Sequence, residues 1–506
     1  MAQHDCLTKI SIMSGLQCHK RLWMSKHDPI PREKIAATIT QDTGTDVCKC
    51  AYNLFPQGKF LNVVPWEHDA ALARTRKLMD NPDIPAIFEA AFEAGGICVR
   101  VDIIERLPRG RWKLYEVNAS TELDKDKHSP DIAIQAWAME QAGHKVASSH
   151  LLHINKKYVR GAKGIDWKKL FTAVDVSKNV KPLMKKAPAW AKEFSTVLHG
   201  DNPVVEPSDH CHAPYTCEFW KRCTKDKPDD WVRHLPRLSA KKKEELRRQG
   251  IEAIRDIPED FQLSKEQKIV RDVIVSGKEW LSKELASVLA AINPPCLYLD
   301  FETMNPAIPL YTGTRPYQRQ PFQWSLHSLD ASGELTHSEF LAAGADDPRR
   351  AFTESLIKEL AGTEIPIVVY SGFESSVLKD MAKLYPKLAK PISKIEKRLH
   401  DLYDIVRNHY CHPKFMGSYS IKDFGPVLAH EVTYDDLELV RNGGDASTVF
   451  EALAKGAIAA KDVEKARQAL LTYCKRDTKA MVHVHEALVS KAPRQRKRGV
   501  FEVPER

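Results

Sequence analysis

Two carboxylates stand two residues apart in Cys296-Leu297-Tyr298-Leu299-Asp300-Phe301-Glu302-Thr303, a segment that alternates in strand fashion. The period of two in a strand sends Asp300 and Glu302 to the same face. Like charges at that spacing repel unless a divalent cation lies between them, which points to Mg²⁺ or Mn²⁺. A further acid, Glu374, follows the apolar run Ile367-Val368-Val369 and the turn Ser371-Gly372, where a helix should begin. Capping that helix is the ordinary use of such an acid. In Tyr473-Cys474-Lys475-Arg476-Asp477, the phenol and the carboxylate are four residues apart and so share one face of a helix. Together they can complete an oxygen shell around a metal and orient a water. Asp401 and Asp404 in HDLYDIVRNHY are the alternative acids if Glu374 serves as a cap; otherwise they read as a helix start or solvent-facing groups.

The order of these pieces is a strand with D-x-E, a strand-turn-helix with an acid, and a helix with Y-x3-D. It resembles the DEDD exonuclease superfamily, in its tyrosine-bearing branch, over roughly residues 294–490. The resemblance implies an RNase H-like fold and 3′-5′ hydrolysis of phosphodiester bonds. It also implies that Asp300, Glu302 and Asp477 bind two metal ions and that Tyr473 positions the attacking water. The family usually has Asp in its second motif, where this chain has Glu374; the longer side chain still reaches a metal. Tyr419 and Lys422 in FMGSYSIK are expected to border the substrate groove, one stacking on a base and the other touching a phosphate.

A different chemistry is written in HCHAPYTCEFWKRC, where Cys211, Cys217 and Cys223 recur every six residues. Three thiols want a fourth, and Cys18 in SGLQCHKRLW is the natural candidate, being flanked likewise by basic and aromatic residues. Four cysteines with one distant member suit a [4Fe-4S] cluster, with an all-cysteine zinc site as the alternative. The other seven (Cys6, Cys48, Cys50, Cys98, Cys296, Cys411 and Cys474) show no ligand spacing and are expected to be reduced packing residues.

Between Cys18 and Cys211, the segments VRVDIIE and WKLYEVNAST read as a hairpin with Asp102 and Glu116 on adjacent strands, and SPDIAIQAWAMEQAG reads as a helix carrying Gln135. Over about residues 5–225 this resembles the RecB-like PD-(D/E)XK nucleases, in the CRISPR-associated single-strand exonuclease group with a four-cysteine iron-sulfur cluster. The resemblance implies that Asp102 and Glu116 are metal ligands, that Gln135 is the glutamine of the helical motif, and that the cluster staples the two ends of the domain. Asn118 stands where the family has lysine, and a neutral amide cannot supply that charge. The upstream acid is Glu89 or Glu93 in IFEAAFEAGG. This half is therefore either a nuclease or a lapsed module that binds nucleic acid or a partner.

The elements that must hold these residues imply an α/β protein of several domains. A chain of 506 residues exceeds the ~250–300 at which single cores stop growing. The expected layout is a PD-(D/E)XK domain with its cluster over 1–225, a charged helical connector resembling a helix-hairpin-helix over 226–293 with a stop and restart at Gly250-Ile251, the exonuclease domain over 294–490, and a basic tail over 491–506. A net charge of +9 is modest, but it is clustered at Lys241, Lys242, Lys243, Arg247 and Arg248 and again at Arg494, Arg496, Lys497 and Arg498, as a phosphate backbone or a solvated face would suit. The chain has no run of the ~18 apolar residues that a membrane span needs, and its start lacks a secretion signal, so a cytoplasmic location without a membrane partner is expected. The function expected is a metal-dependent hydrolase acting on nucleic acid, most simply single-stranded DNA. The alternatives are an N-terminal half that only binds, or a repair or redox scaffold without turnover.

Overall fold

The computed structural model describes residues 6–30, 47–64, 66–429, 431 and 433–492. The basic cluster at Arg494–Arg498 lies outside them. The chain is mixed α/β and forms two compact units. The first comprises 1–226 and 306–318; the second comprises 227–305 and 319–506. The short stretch after the D-x-E strand thus packs with the first unit, where Arg160 exchanges main-chain hydrogen bonds with Gly313 (2.8 Å) and Thr314 (3.0 Å).

The first unit is built on a seven-stranded sheet. Its order is β2 (Lys59–Phe60), β3 (Ala86–Ala94), β4 (Ile97–Leu107), β5 (Arg111–Asn118), β6 (Lys145–Ile154), β7 (Phe171–Asp175), with β1 (Leu7–Thr8) added alongside β4. Strands β3, β4 and β5 run antiparallel, and Gly95-Gly96 turn the first hairpin at φ of 54° and 77°, the left-handed geometry that a two-residue connection needs. The parallel pair β5 and β6 requires a crossover, supplied by the helix Lys125–Gln141, which Asp124 caps through the amides of Asp126 and Lys127. That helix is buried along Ile132, Ala133, Ala136 and Met139, packing on the sheet's apolar face.

Cys6 and Cys98 depart from the expectation of free thiols. Strand β1 pairs in parallel with β4, setting Thr8 opposite Cys98, and this brings Cys6 within 5.8 Å (Cα–Cα) of Cys98, to which it is disulfide-bonded.

The second unit holds a five-stranded sheet in the order β11 (Leu335–Leu341), β10 (Gln320–Leu329), β9 (Cys296–Met304), β12 (Ile367–Val369), β13 (Leu399–Asp401). Strand β10 is antiparallel to both β9 and β11, while β12 runs parallel to both β9 and β13. The alternation in β9 divides two cores. Leu297, Leu299 and Phe301 join Phe352, Leu356 and Val377 on one side; Cys296 and Tyr298 join Met481, Val484 and Leu488 of the long helix Val463–Lys491 on the other. Asp300 and Glu302 continue that second face toward the long helix.

Residues 227–293 group with this second unit. The helix Ala240–Arg248 ends at Gly250, with φ of 71°, but no helix restarts at Ile251. The amides that would continue one are engaged elsewhere: those of Ile254 and Arg255 bond to the main-chain oxygen and the carboxylate of Asp230, which is almost fully buried. The next full helix, Lys265–Ser276, begins at Ser264 with a reciprocal capping box formed with Gln267. Among the described residues no helix is long and apolar enough to cross a membrane.

Candidate metal centres

In the second unit, strand β9 and two helices bring the acids together. Asp300, Glu302 and Cys474 each present a ligand atom within 4.8 Å of the others. Glu374 occupies the first turn of the helix Phe373–Leu384, entered through Ser371 at φ of 105°; it is 2% exposed, and its Oε2 has no hydrogen-bond partner among the described residues. A buried carboxylate oxygen left bare is costly unless something absent from the protein meets it. Asp477 accepts a hydrogen bond from the Tyr434 hydroxyl (2.5 Å). Tyr473, 3% exposed, accepts one from Lys422 Nζ (2.8 Å), and the same ammonium donates to the Arg441 carbonyl and lies 4.6 Å from the Tyr473 ring centre.

The electrostatics follow from crowding. Burial, then the charge of Asp477, pushes Asp300 up to about 8. Burial and then Asp300 raise Glu302 and Glu374 far above the usual carboxylate range. Burial also raises Asp477, against the opposing pull of the Tyr434 hydroxyl and Lys422. Four acids that resist ionising together form a site whose charge invites a cation.

Several expectations for this region change. Tyr419 is no stacking platform: it is 8% exposed, its carbonyl accepts from the Tyr370 hydroxyl, and its ring packs among Tyr403 and Phe415. Lys422 spends its ammonium on Tyr473 and Arg441, so it acts on the site from within. Asp401 caps the helix Leu402–His409 through the Tyr403 amide and also accepts from the Ser371 amide, and Asp404 faces solvent. Cys474 does more than pack, since its thiol donates to Asp300 Oδ2 at 3.4 Å. Tyr434 had no local signal in the sequence.

The first unit holds a second gathering. Asp102 (9% exposed) on β4 and Glu116 (4%) on β5 lie one residue beyond the Ile103–Tyr115 pair of the antiparallel ladder, and Asp102 accepts from the Val117 amide at 2.7 Å. Gln135, fully buried, donates through Nε2 to Glu116 (2.7 Å) and to Asp131 (2.8 Å). Lys9 Nζ reaches Glu116 at 2.8 Å and Asp131 at 3.4 Å. Burial, then Glu116, pushes Asp131 up to about 7, and burial with Glu116 raises Asp102 strongly. Of the two upstream acids, Glu89 faces this group: it adds to the charge acting on Asp102 and accepts from the Tyr52 hydroxyl at 2.8 Å. Glu93 pairs instead with His68. Asn118 turns away, its Oδ1 accepting from the Ser120 amide at 2.9 Å. Asp131 and Gln135 share the i, i+4 spacing that would have revealed the acid; Lys9 left no such mark.

The cysteines of the same unit converge as well. Cys18 closes the helix Lys9–Gln17, and Gln17 ties that end to the later segment by donating to the carbonyls of His210 and Tyr215. Arg21 pairs with Glu218, and Arg222 with Asp28. Cys223 feels both Cys211 and Cys18, while burial is the chief cause pushing Cys217 up to about 11. Cys211, Cys217 and Cys223 pack with Met24, Trp23, Phe219 and Trp220.

A family described as a domain of unknown function, DUF2779, matches residues 297–420, a span that contains Asp300, Glu302 and Glu374 but not Tyr473 or Asp477. No curated protein matches the chain.

Proposed function

We propose that this protein is a metal-dependent nuclease whose second unit hydrolyses phosphodiester bonds, as a 3′-5′ exonuclease on single-stranded or frayed DNA. The observation that carries the reading is the meeting of Asp300, Glu302, Glu374 and Asp477 beside Tyr473, with one oxygen of Glu374 bare and buried. Hard oxygen donors in a crowded, negatively charged pocket fit Mg²⁺ or Mn²⁺. Such ions, when bound, lower the pKa of a water and neutralise the leaving oxygen. The four carboxylates hold them, Tyr473 directs its hydroxyl to the attacking water, Lys422 fixes that phenol, and Tyr434 fixes Asp477. A five-stranded mixed sheet covered by helices on both faces supports the RNase H-like reading. On the helix that carries Asp477, Lys475, Lys479 and His483 line a groove of about 310 Å³ that Glu431 and Asp436 also border, the latter paired with Arg476.

In the first unit, four buried or half-buried thiols suit a thiophilic group, for which we take a [4Fe-4S] cluster ahead of zinc. Its role would be to staple the N-terminal helices to the segment 209–223. A second reading leaves this unit as a nucleic-acid-binding or PD-(D/E)XK-like partner-binding module without turnover, and the use of Asn118 in a turn favours it.

The test is degradation of end-labelled single-stranded DNA with Mn²⁺ by the wild type, Asp300→Asn and Glu116→Gln. Stepwise shortening from the 3′ end should vanish in Asp300→Asn. Shortening that survives there and disappears in Glu116→Gln would assign the activity to the first unit instead.

A further inference from the structure

We propose that Cys6, His68, Glu93 and Cys98 form a zinc site in the reduced chain, and that the Cys6–Cys98 disulfide is the oxidised alternative to it. The centre shares no residue with the acids around Asp300, with those around Glu116 or with the cysteines near Cys211. It depends on no reading of the protein as a nuclease.

Four elements converge here. Glu93 on β3 and Cys98 on β4 are paired across the antiparallel hairpin, so both side chains leave the same face. Thr8 of β1 stands opposite Cys98, and Cys6, two residues earlier, returns to that face and is bonded to Cys98. His68 is the first residue of the helix His68–Asp80. That helix buries Ala71, Leu78 and Met79 in the core of the unit and is tied to β3 where the Thr75 hydroxyl accepts from the Ala91 amide (2.9 Å). His68 Nε2 lies 3.3 Å from Glu93 Oε2, and one ligand atom each of His68, Glu93 and Cys98 falls within 4.8 Å of the others. Ligands held tetrahedrally at ~2.0–2.3 Å from an ion stand roughly 3–4 Å apart, so the main movement needed is the parting of the two sulfurs.

Two thiolates, an imidazole and a carboxylate suit zinc better than the hard cations that an all-oxygen site takes. An ion pair between His68 and Glu93 explains little of this arrangement, because Glu93 is 36% exposed and solvent weakens such a pair. A disulfide by itself leaves the histidine and the acid beside it without a reason. The remaining nine cysteines are thiols, the state that a reducing environment maintains, and a lone disulfide in that setting is open to exchange.

The exchange needs a dithiol as reductant. Cys6 is half-buried and Cys98 is 7% exposed, so the attack falls on the Cys6 sulfur. A thiolate of the reductant bonds to that sulfur while the Cys6–Cys98 bond breaks and Cys98 leaves as a thiolate. The second thiol of the reductant then closes its own disulfide and releases Cys6, so two electrons pass from the dithiol to the protein. Both sulfurs bind zinc as thiolates, their protons going to solvent. Only Leu7 and Thr8 pair with β4, a short hold for a strand. Sulfur bond or ion therefore serves as the clip that keeps β1, and the helix Lys9–Gln17 behind it, on the sheet.

The experiment uses the full chain, reduced with a trialkylphosphine and mixed with Zn²⁺. Alkylation of Cys6 by iodoacetamide is followed by peptide mass spectrometry, and bound zinc by elemental analysis after gel filtration. Zn²⁺ should slow alkylation of Cys6 roughly tenfold or more, since a sulfur bound to metal is no longer a free nucleophile. The reduced wild type should also hold a further zinc per chain over the oxidised protein. His68→Asn and Glu93→Gln leave both cysteines in place, and each should weaken this zinc by at least the ~10–100-fold that losing a supporting group costs, restoring alkylation. Alkylation of Cys6 in the wild type at one rate with and without Zn²⁺ overturns the proposal, whether or not the variants fold. A zinc increment that both variants keep overturns it as well, since that metal would belong to the cysteines around Cys211.

Discussion

Replacing Asp300 by Asn should stabilise the metal-free protein, an unusual result for a buried, hydrogen-bonded residue. In the folded chain burial pushes this carboxyl up to about 8, against 3.8 for the free group. The raised value means that the folded chain holds a proton which the unfolded chain releases as pH climbs from about 4, so stability falls through the window from there to about 8. At pH 7 the gap spans about three units, or ~4 kcal/mol at 1.36 kcal/mol each. Asn removes that cost but gives up the contact with the Cys474 thiol, leaving a net gain of about 2 kcal/mol and a rise of roughly 4–8 °C in Tm. At pH 5 the gap is near one unit, or ~1.6 kcal/mol, which the lost contact offsets, so the gain should vanish. Mn²⁺ acts oppositely: it binds the folded wild type, raising its Tm by mass action, and does so much less for the variant. Thermal unfolding by circular dichroism at pH 5 and pH 8, with chelator and with Mn²⁺, measures all four quantities. If Asp300→Asn lowers the metal-free Tm at pH 8, or if Mn²⁺ stabilises the variant as much as the wild type, the acids are not held apart from ionisation by one another and the metal argument fails.

Other consequences are simpler to state. Tyr473→Phe removes one hydroxyl from a residue whose buried ring still packs against the Lys422 ammonium, so kcat for DNA shortening should fall about 100-fold with Mn²⁺ affinity unchanged; a parallel loss of affinity would make the phenol a structural prop. Glu374→Gln should weaken Mn²⁺ binding at least tenfold while Glu374→Asp keeps part of the activity, and equal behaviour of the two would remove Glu374 from the site. Protein prepared without oxygen should contain about four iron and four sulfide per chain if the cysteines hold a cluster. Chemical analysis that returns a single zinc decides for the alternative, and Cys223→Ser should lower whichever metal is found along with the melting point of the first unit.

What could be read in the sequence was governed by periodicity. Asp300 and Glu302 were legible because β9 alternates, and Tyr473 with Asp477 because four residues make one helical turn. In both cases the local rule that forms the element also aims the side chain. Tyr419 misled because a loop aromatic between two serines looks exposed, and only the packing of Phe415 and Tyr403 around it decides otherwise. The partners of the acids escaped for a different reason. Lys9 is separated from Glu116 by 107 residues and Tyr434 from Asp477 by 43, and Cys6 is 92 residues from Cys98. Each is delivered by tertiary pairing, which leaves no periodic trace around the residue itself. An acid placed by the period of its own strand or helix leaves a local mark, whereas a cation that only balances charge can arrive from any segment that reaches the pocket.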